Sequence, residues 1–168
     1  MQKIIDAIYD EIDGLYTHAE MLRNSWMHKV AEREMKRTYI AGQTTEKTTY
    51  EMRVEFSGIS FRIRWLEVGF IRTGGRTIRL TKSIACPDSG RYKMSQFKKA
   101  NEWELLLIDT IEQSMGNVRV KLKHLGKCHN SVVWADKVNK KPTITTKEMK
   151  YRVERKDRSI KKIKQTMM

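Results

Sequence analysis

An α+β fold is predicted by three features of the chain: a helical apolar stripe between Ile4 and Arg37, strict apolar/polar alternation from about residue 48, and renewed helical spacing from about residue 95. The first element, a helix over 4–37, contains no proline and one glycine. Its apolar residues Ile5, Ile8, Ile12, Leu15, Ala19, Leu22 and Trp26 recur at alternating spacings of three and four. That is a heptad stripe. An amphipathic helix gains little from propensity alone, so the stripe needs a cover. Two covers fit: the chain's own core, or a second copy in a homodimer. Ile5, Ile8, Ile12, Leu15, Leu22 and Trp26 are therefore the candidate oligomerisation residues. Gly14, inside the stripe, costs about 1 kcal/mol relative to alanine and allows a close approach or a bend.

A sheet is expected over 48–84. Tyr50, Met52, Val54 and Phe56 alternate with Glu51, Arg53 and Glu55; Ser57-Gly58 turns the chain; Ile59, Phe61, Ile63 and Trp65 then alternate with Ser60, Arg62 and Arg64. This is a β-hairpin pattern. The parity slips at Trp65-Leu66, which predicts a bulge or bend. Thr73-Gly74-Gly75-Arg76 forms a second turn into a third or fourth antiparallel strand, Thr77 to Ile84, with Ile78 and Leu80 inward.

A second long helix is expected over 95–125, with Phe97, Ala100, Trp103 or Glu104, Leu107, Ile108, Ile111 and Met115 on one face. Gly116-Asn117 reads as its end or a kink, and Val118 to Leu125 as further helix. Residues 1–136 then form one α+β domain and residues 137–168 a basic extension, helical from Thr146 to Lys164.

The 168 residues carry 34 Lys plus Arg against 20 Asp plus Glu, a formal net charge of +14, and the excess is unevenly placed. Residues 1–46 hold 6 basic and 8 acidic side chains, whereas residues 137–168 hold 12 and 3. Such asymmetry points to a polyanionic partner, with nucleic acid ahead of an anionic membrane surface. With 39% hydrophobic residues the chain can build a core, which excludes wholesale disorder. The longest apolar run, Leu105 to Ile108, is far too short to span a bilayer, and the N-terminus lacks a signal-peptide pattern, so a cytoplasmic location without a membrane partner is expected. Cys86 and Cys128 alone form no disulfide framework.

The polar side of the sheet is the sharpest candidate site. If Tyr50, Phe61 and Ile78 face the core, then Arg53, Arg62, Arg64 and Arg79 face away, while Arg72 and Arg76 flank Gly74-Gly75. Guanidinium groups hold phosphate oxygens or guanine edges in bidentate fashion. The competing assignment is an ordinary solvated face whose arginines pair across strands with Glu51 and Glu55. Lys82 and Arg91 extend the basic set. In the tail Lys140, Lys141, Lys147, Lys150, Arg152, Arg155, Lys161 and Lys162 are phosphate anchors of low sequence specificity.

Catalysis has little support. His124, Cys128, His129 and Cys86 can be drawn as a metal set, but their spacing matches structural zinc poorly and no CxxC pair is present. There is no P-loop or GxSxG, and none of the six tyrosines has a metal cluster beside it in the sequence. A non-enzyme without cofactor or metal is expected.

The stretch Ile71-Arg72-Thr73-Gly74-Gly75-Arg76-Thr77, with Thr81-Lys82-Ser83-Ile84 and Gly90-Arg91-Tyr92-Lys93-Met94-Ser95-Gln96-Phe97, resembles the central part of the MobI family over residues 50–125. The family comprises small auxiliary proteins of conjugative mobilisation in integrative elements and broad-range plasmids. The resemblance implies a protein that recognises the origin of transfer in DNA and helps place the relaxase there. A protein-interaction adaptor using the heptad helix, or an RNA-binding regulator stacking Tyr or Trp on single-stranded bases, are the other readings of the same residues.

Overall fold

Alternation and helical periodicity resolve into α1 (Gln2–Thr38), β1 (Tyr50–Ser57), β2 (Ser60–Thr73), β3 (Arg76–Ser83), a short 3-10 turn at Met94–Gln96, α2 (Glu102–Val138) and α3 (Ile160–Met167). The computed structural model describes residues 1–38, 48–139 and 160–167. The three strands form an antiparallel sheet in the order β1-β2-β3. The expected α+β architecture is thus present, with two helices of 37 residues, each about 55 Å long, beside a small sheet.

The two helices run antiparallel: Tyr9 of α1 meets His129 near the end of α2, and Trp26 stacks near Trp103 at its start. The core lies between this helical pair and one face of the sheet. Trp65 meets Trp26 and Phe97 edge-on, at ring-centroid distances of 4.9 and 5.6 Å, and Tyr50 meets Phe97 at 5.1 Å. Edge-to-face contacts of this kind add to the area these rings bury.

The α1 stripe is covered by the chain itself. Ile5, Ile8, Ile12, Leu15, Ala19 and Trp26 are buried, and all but Ile5 belong to the common core, with Leu22 half-buried against it. Of the two covers open to the stripe, the intramolecular one is observed.

Four expectations need correction. β2 passes Trp65 and Leu66 without a bulge, because the pairing runs unbroken from Ser57↔Ser60 to Tyr50↔Glu67. The parity change instead marks the level where β2 has neighbours on both sides: Leu66 pairs with Glu51 and with Ser83. The second helix begins at Glu102 rather than Ser95, and it runs to Val138 through Gly116 and Gly126. A single glycine costs only about 1 kcal/mol in a helix. At Gly116 the cost is offset by packing, since a Cβ there would lie 3.1 Å from Cβ of Arg91.

The third correction concerns Ile78 and Leu80, which are exposed, not inward. β1 reaches only as far as Glu67, so the rest of β2 pairs with β3 alone, from Val68↔Thr81 to Thr73↔Arg76. A two-stranded ribbon therefore projects past the core. The last concerns the tail. α3 returns to α1, where Ile163 enters the core and Lys164 pairs with Glu34. Residues 146–159 of the helix expected over Thr146 to Lys164 lie outside the described residues.

Candidate nucleic-acid interface

Register and alternation fix which ribbon side chains share a face. One face carries Val68, Phe70 and Arg72 of β2 with Thr77, Arg79 and Thr81 of β3. The other carries Ile71 and Thr73 with Arg76, Ile78, Leu80 and Lys82. Apart from the half-buried Val68, all of these residues are exposed; Phe70 and Leu80 are each 48% accessible, Ile71 44% and Ile78 45%. Between Val68 and Ser83 there are four basic residues and no acidic one. At the tip Gly74 and Gly75 have φ of +58° and +75°. Two successive left-handed residues make the tight hairpin turn that matches strand twist, which is why glycine occupies both positions.

The ribbon is anchored by a buried polar network. On α2, Glu112 is fully buried and takes both Arg119 Nη1 and Nη2 at 2.8 Å. Its carboxylate also accepts the indole N–H of Trp65 at 2.7 Å and the backbone N–H of Tyr92 at 3.0 Å. Arg119 in turn donates to the carbonyls of Gly90 (2.9 Å) and Ile63 (3.2 Å), and lies over the Tyr92 ring. Tyr92 Oη donates to the carbonyl of Ile84, the residue after β3. Two side chains two turns apart on α2 thereby fix both β2 and the chain leaving β3, and with them the direction of the ribbon.

Glu104 performs a similar task at the other end of β1. It is buried, and its carboxylate accepts the backbone N–H groups of Asn101 and Thr49, each at 3.0 Å. Burial pushes its pKa above the ordinary carboxylate value, outweighing those hydrogen bonds.

The candidate arginines divide into two groups. Arg53 pairs with Glu51 at 2.8 Å, Arg64 with Glu55, Arg79 with Glu51, and Arg91 with Asp109 at 3.0 Å. These side chains sit among Glu–Arg pairs, the alternative weighed for this face. Arg62, Arg72, Arg76 and Lys82 are exposed and make no ion pair among the described residues. Lys161 and Lys162 lie in α3, while Lys140, Lys141, Lys147, Lys150, Arg152 and Arg155 lie outside the described residues.

The Glu51 pairs carry a pH dependence. Burial alone raises the Glu51 pKa, but the hydrogen bonds and charges of Arg53 and Arg79 outweigh it and leave the value below the ordinary 4.5. A carboxylate with a depressed folded pKa contributes stability that is fully present above its unfolded value and is lost as the pH falls through the folded one. Thermal melts of the parent and Glu51→Gln should therefore differ at pH 7 and converge between pH 4.5 and lower values. A gap that stays constant across this window would remove Glu51 as the source.

Among the described residues, no three His, Cys, Asp or Glu side chains come together to hold a metal ion. Cys86 and Cys128 are free and exposed, and His129 is buried against Tyr9 Oη at 3.1 Å. No helix among them is long and apolar enough to cross a membrane.

The arrangement defines an α+β protein in which a long helical pair backs a small sheet and holds out a basic β-ribbon. The family described as MobI protein matches residues 15–133, and the chain belongs to it. It is a mobilisation-related protein. No curated protein and no solved structure matches the chain.

Proposed function

We propose that this protein is a non-catalytic DNA-binding auxiliary of conjugative transfer, recognising the origin of transfer and helping to recruit the relaxase. The observation that carries this reading is the ribbon: it has four basic and no acidic residues between Val68 and Ser83, is exposed on both faces, and has a rigid root. The major groove of B-DNA, about 12 Å wide, admits a two-stranded ribbon whose strands lie about 4.8 Å apart. A run of about six pairs beyond the core, at ~3.3 Å each, reaches across about six base pairs. Membership of a mobilisation family supports the origin of transfer as the DNA and the relaxase as the protein partner.

The RNA reading has less support: Tyr9, Tyr16, Tyr50, Tyr92, Trp26 and Trp65 are spent in the core, and the exposed Trp134 lies near the end of α2, off the ribbon. The adaptor reading relied on the α1 stripe, which is buried within the chain.

Binding to duplex DNA, single-stranded DNA and RNA of one sequence, measured across a salt series, separates these possibilities. Duplex is expected to bind tightest, with log K falling by about 0.9 per neutralised phosphate per decade of salt. In a competition between origin and random duplex at fixed salt, Arg72→Ala or Arg76→Ala should lower the preference for the origin several-fold. Arg64→Ala and Arg79→Ala should change it less, since their guanidinium groups are held by glutamates. A bidentate base contact is worth roughly 1–3 kcal/mol of discrimination, whereas a phosphate contact affects all sequences alike. If all four variants weaken both DNAs in equal proportion, the ribbon only anchors phosphates.

A further inference from the structure

The ribbon carries a second feature that charge does not explain. Ile71 and Ile78 are directly paired across the strands, and Leu80 follows on the same face opposite Gly69, which has no side chain to cover it. All three are nearly half exposed. Arg76 lies at the tip end of this apolar patch and Lys82 at its root end, on the same face. The opposite face holds Arg79, already paired with Glu51, so the apolar face is also the one whose two cations are unpaired among the described residues.

What covers such a patch must be apolar at its centre and anionic at both ends. A second copy of the ribbon fails the second condition, because it would bring Arg76 and Lys82 of each chain together and supply no anion. The floor of a thymine-bearing major groove meets both: the thymine 5-methyl projects into it, and phosphates line its walls. Resting on the DNA-binding reading above, we propose that the Ile71–Ile78–Leu80 face of the ribbon reads thymine methyl groups in the major groove of duplex DNA, with Arg76 on the acceptor edge of a neighbouring base and Lys82 on a flanking phosphate. The recognised duplex is accordingly A·T-containing under the ribbon.

Alternating poly(dA-dT) and poly(dA-dU) duplexes test this directly, because they differ by the 5-methyl group alone and present the same minor-groove acceptors. The full chain is expected to bind the thymine duplex at least about fourfold more tightly, the factor corresponding to ~0.8 kcal/mol for one buried methyl. Ile78→Gln and Leu80→Gln fall at exposed positions and should melt like the parent; each should bring the ratio towards one. Equal binding of the two duplexes by the parent overturns the inference and leaves DNA binding standing, as does a preference that survives both substitutions. Binding to neither duplex at low salt overturns the proposed function and the inference with it. If sedimentation shows a dimer that Ile78→Gln separates, the face belongs to a second copy instead.

Discussion

Replacing Glu112 with alanine is expected to destabilise the fold by about 3–5 kcal/mol, the usual cost of removing one partner from a buried ion pair. The site makes the upper part of that range reasonable. The carboxylate accepts both Arg119 nitrogens, the Trp65 indole and the Tyr92 amide, so four donors lose their acceptor at once. Stranding buried donors costs about 1–3 kcal/mol each where no water replaces the partner. For a chain of this length the expected fall in Tm is about 10 °C or more. The pair itself is not the source of the stability: Glu112→Leu combined with Arg119→Met removes both charges and should recover part of the loss. Calorimetry of the single and double variants checks this. A single-variant loss below 1 kcal/mol would show that the ribbon root is held by packing instead. In the same variants, discrimination between DNA sites should suffer more than affinity for random DNA, because direction of the ribbon matters only for base reading.

The two-residue period from Tyr50 to Trp65 made the first hairpin legible, since each residue's face follows from its position alone. The second hairpin was legible as strands but not as a projection. Ile78 and Leu80 alternate like core residues, and parity says which face they share, not whether another element lies opposite. That depends on where β1 stops, a tertiary fact. Glu112 carries a signal of its own in the sequence: it stands four residues after Ile108 and three before Met115, on the apolar stripe of α2, where an acid must be paired. Its partner Arg119, seven residues on, lies two turns along the same face. Gly116 misled in the other direction, because a glycine read as a helix end is indistinguishable in sequence from one that admits a neighbour. The Arg–Glu pairs of the outer face are foreseeable as an alternative, yet only the structure shows that Arg64 and Arg79 are engaged while Arg72 and Arg76 make no ion pair among the described residues.

Ile12→Asp is expected to unfold the protein, and Leu22→Asp to weaken it without unfolding it. Ile12 is 0% exposed and sits in the common core, whereas Leu22 packs half-buried at its margin. At Ile12 two costs combine. Losing the buried isoleucine side chain costs about 2–5 kcal/mol, and an unpaired carboxylate in the same place adds several more. Their total rivals the 5–15 kcal/mol that holds a typical domain together. At Leu22 the carboxylate can reach water, so the cost is smaller, and the melting temperature should drop while the far-ultraviolet circular dichroism at 25 °C stays native. The contrast between the two positions is diagnostic. A stripe serving as a seam between copies would make both variants folded monomers of a dimeric parent, and sedimentation would show the change in mass. A stripe serving as core leaves the parent's mass unaltered in Leu22→Asp and removes the helical signal in Ile12→Asp. The burial of Ile5, Ile8, Ile12, Leu15 and Trp26 within one chain is the ground for expecting the second pattern.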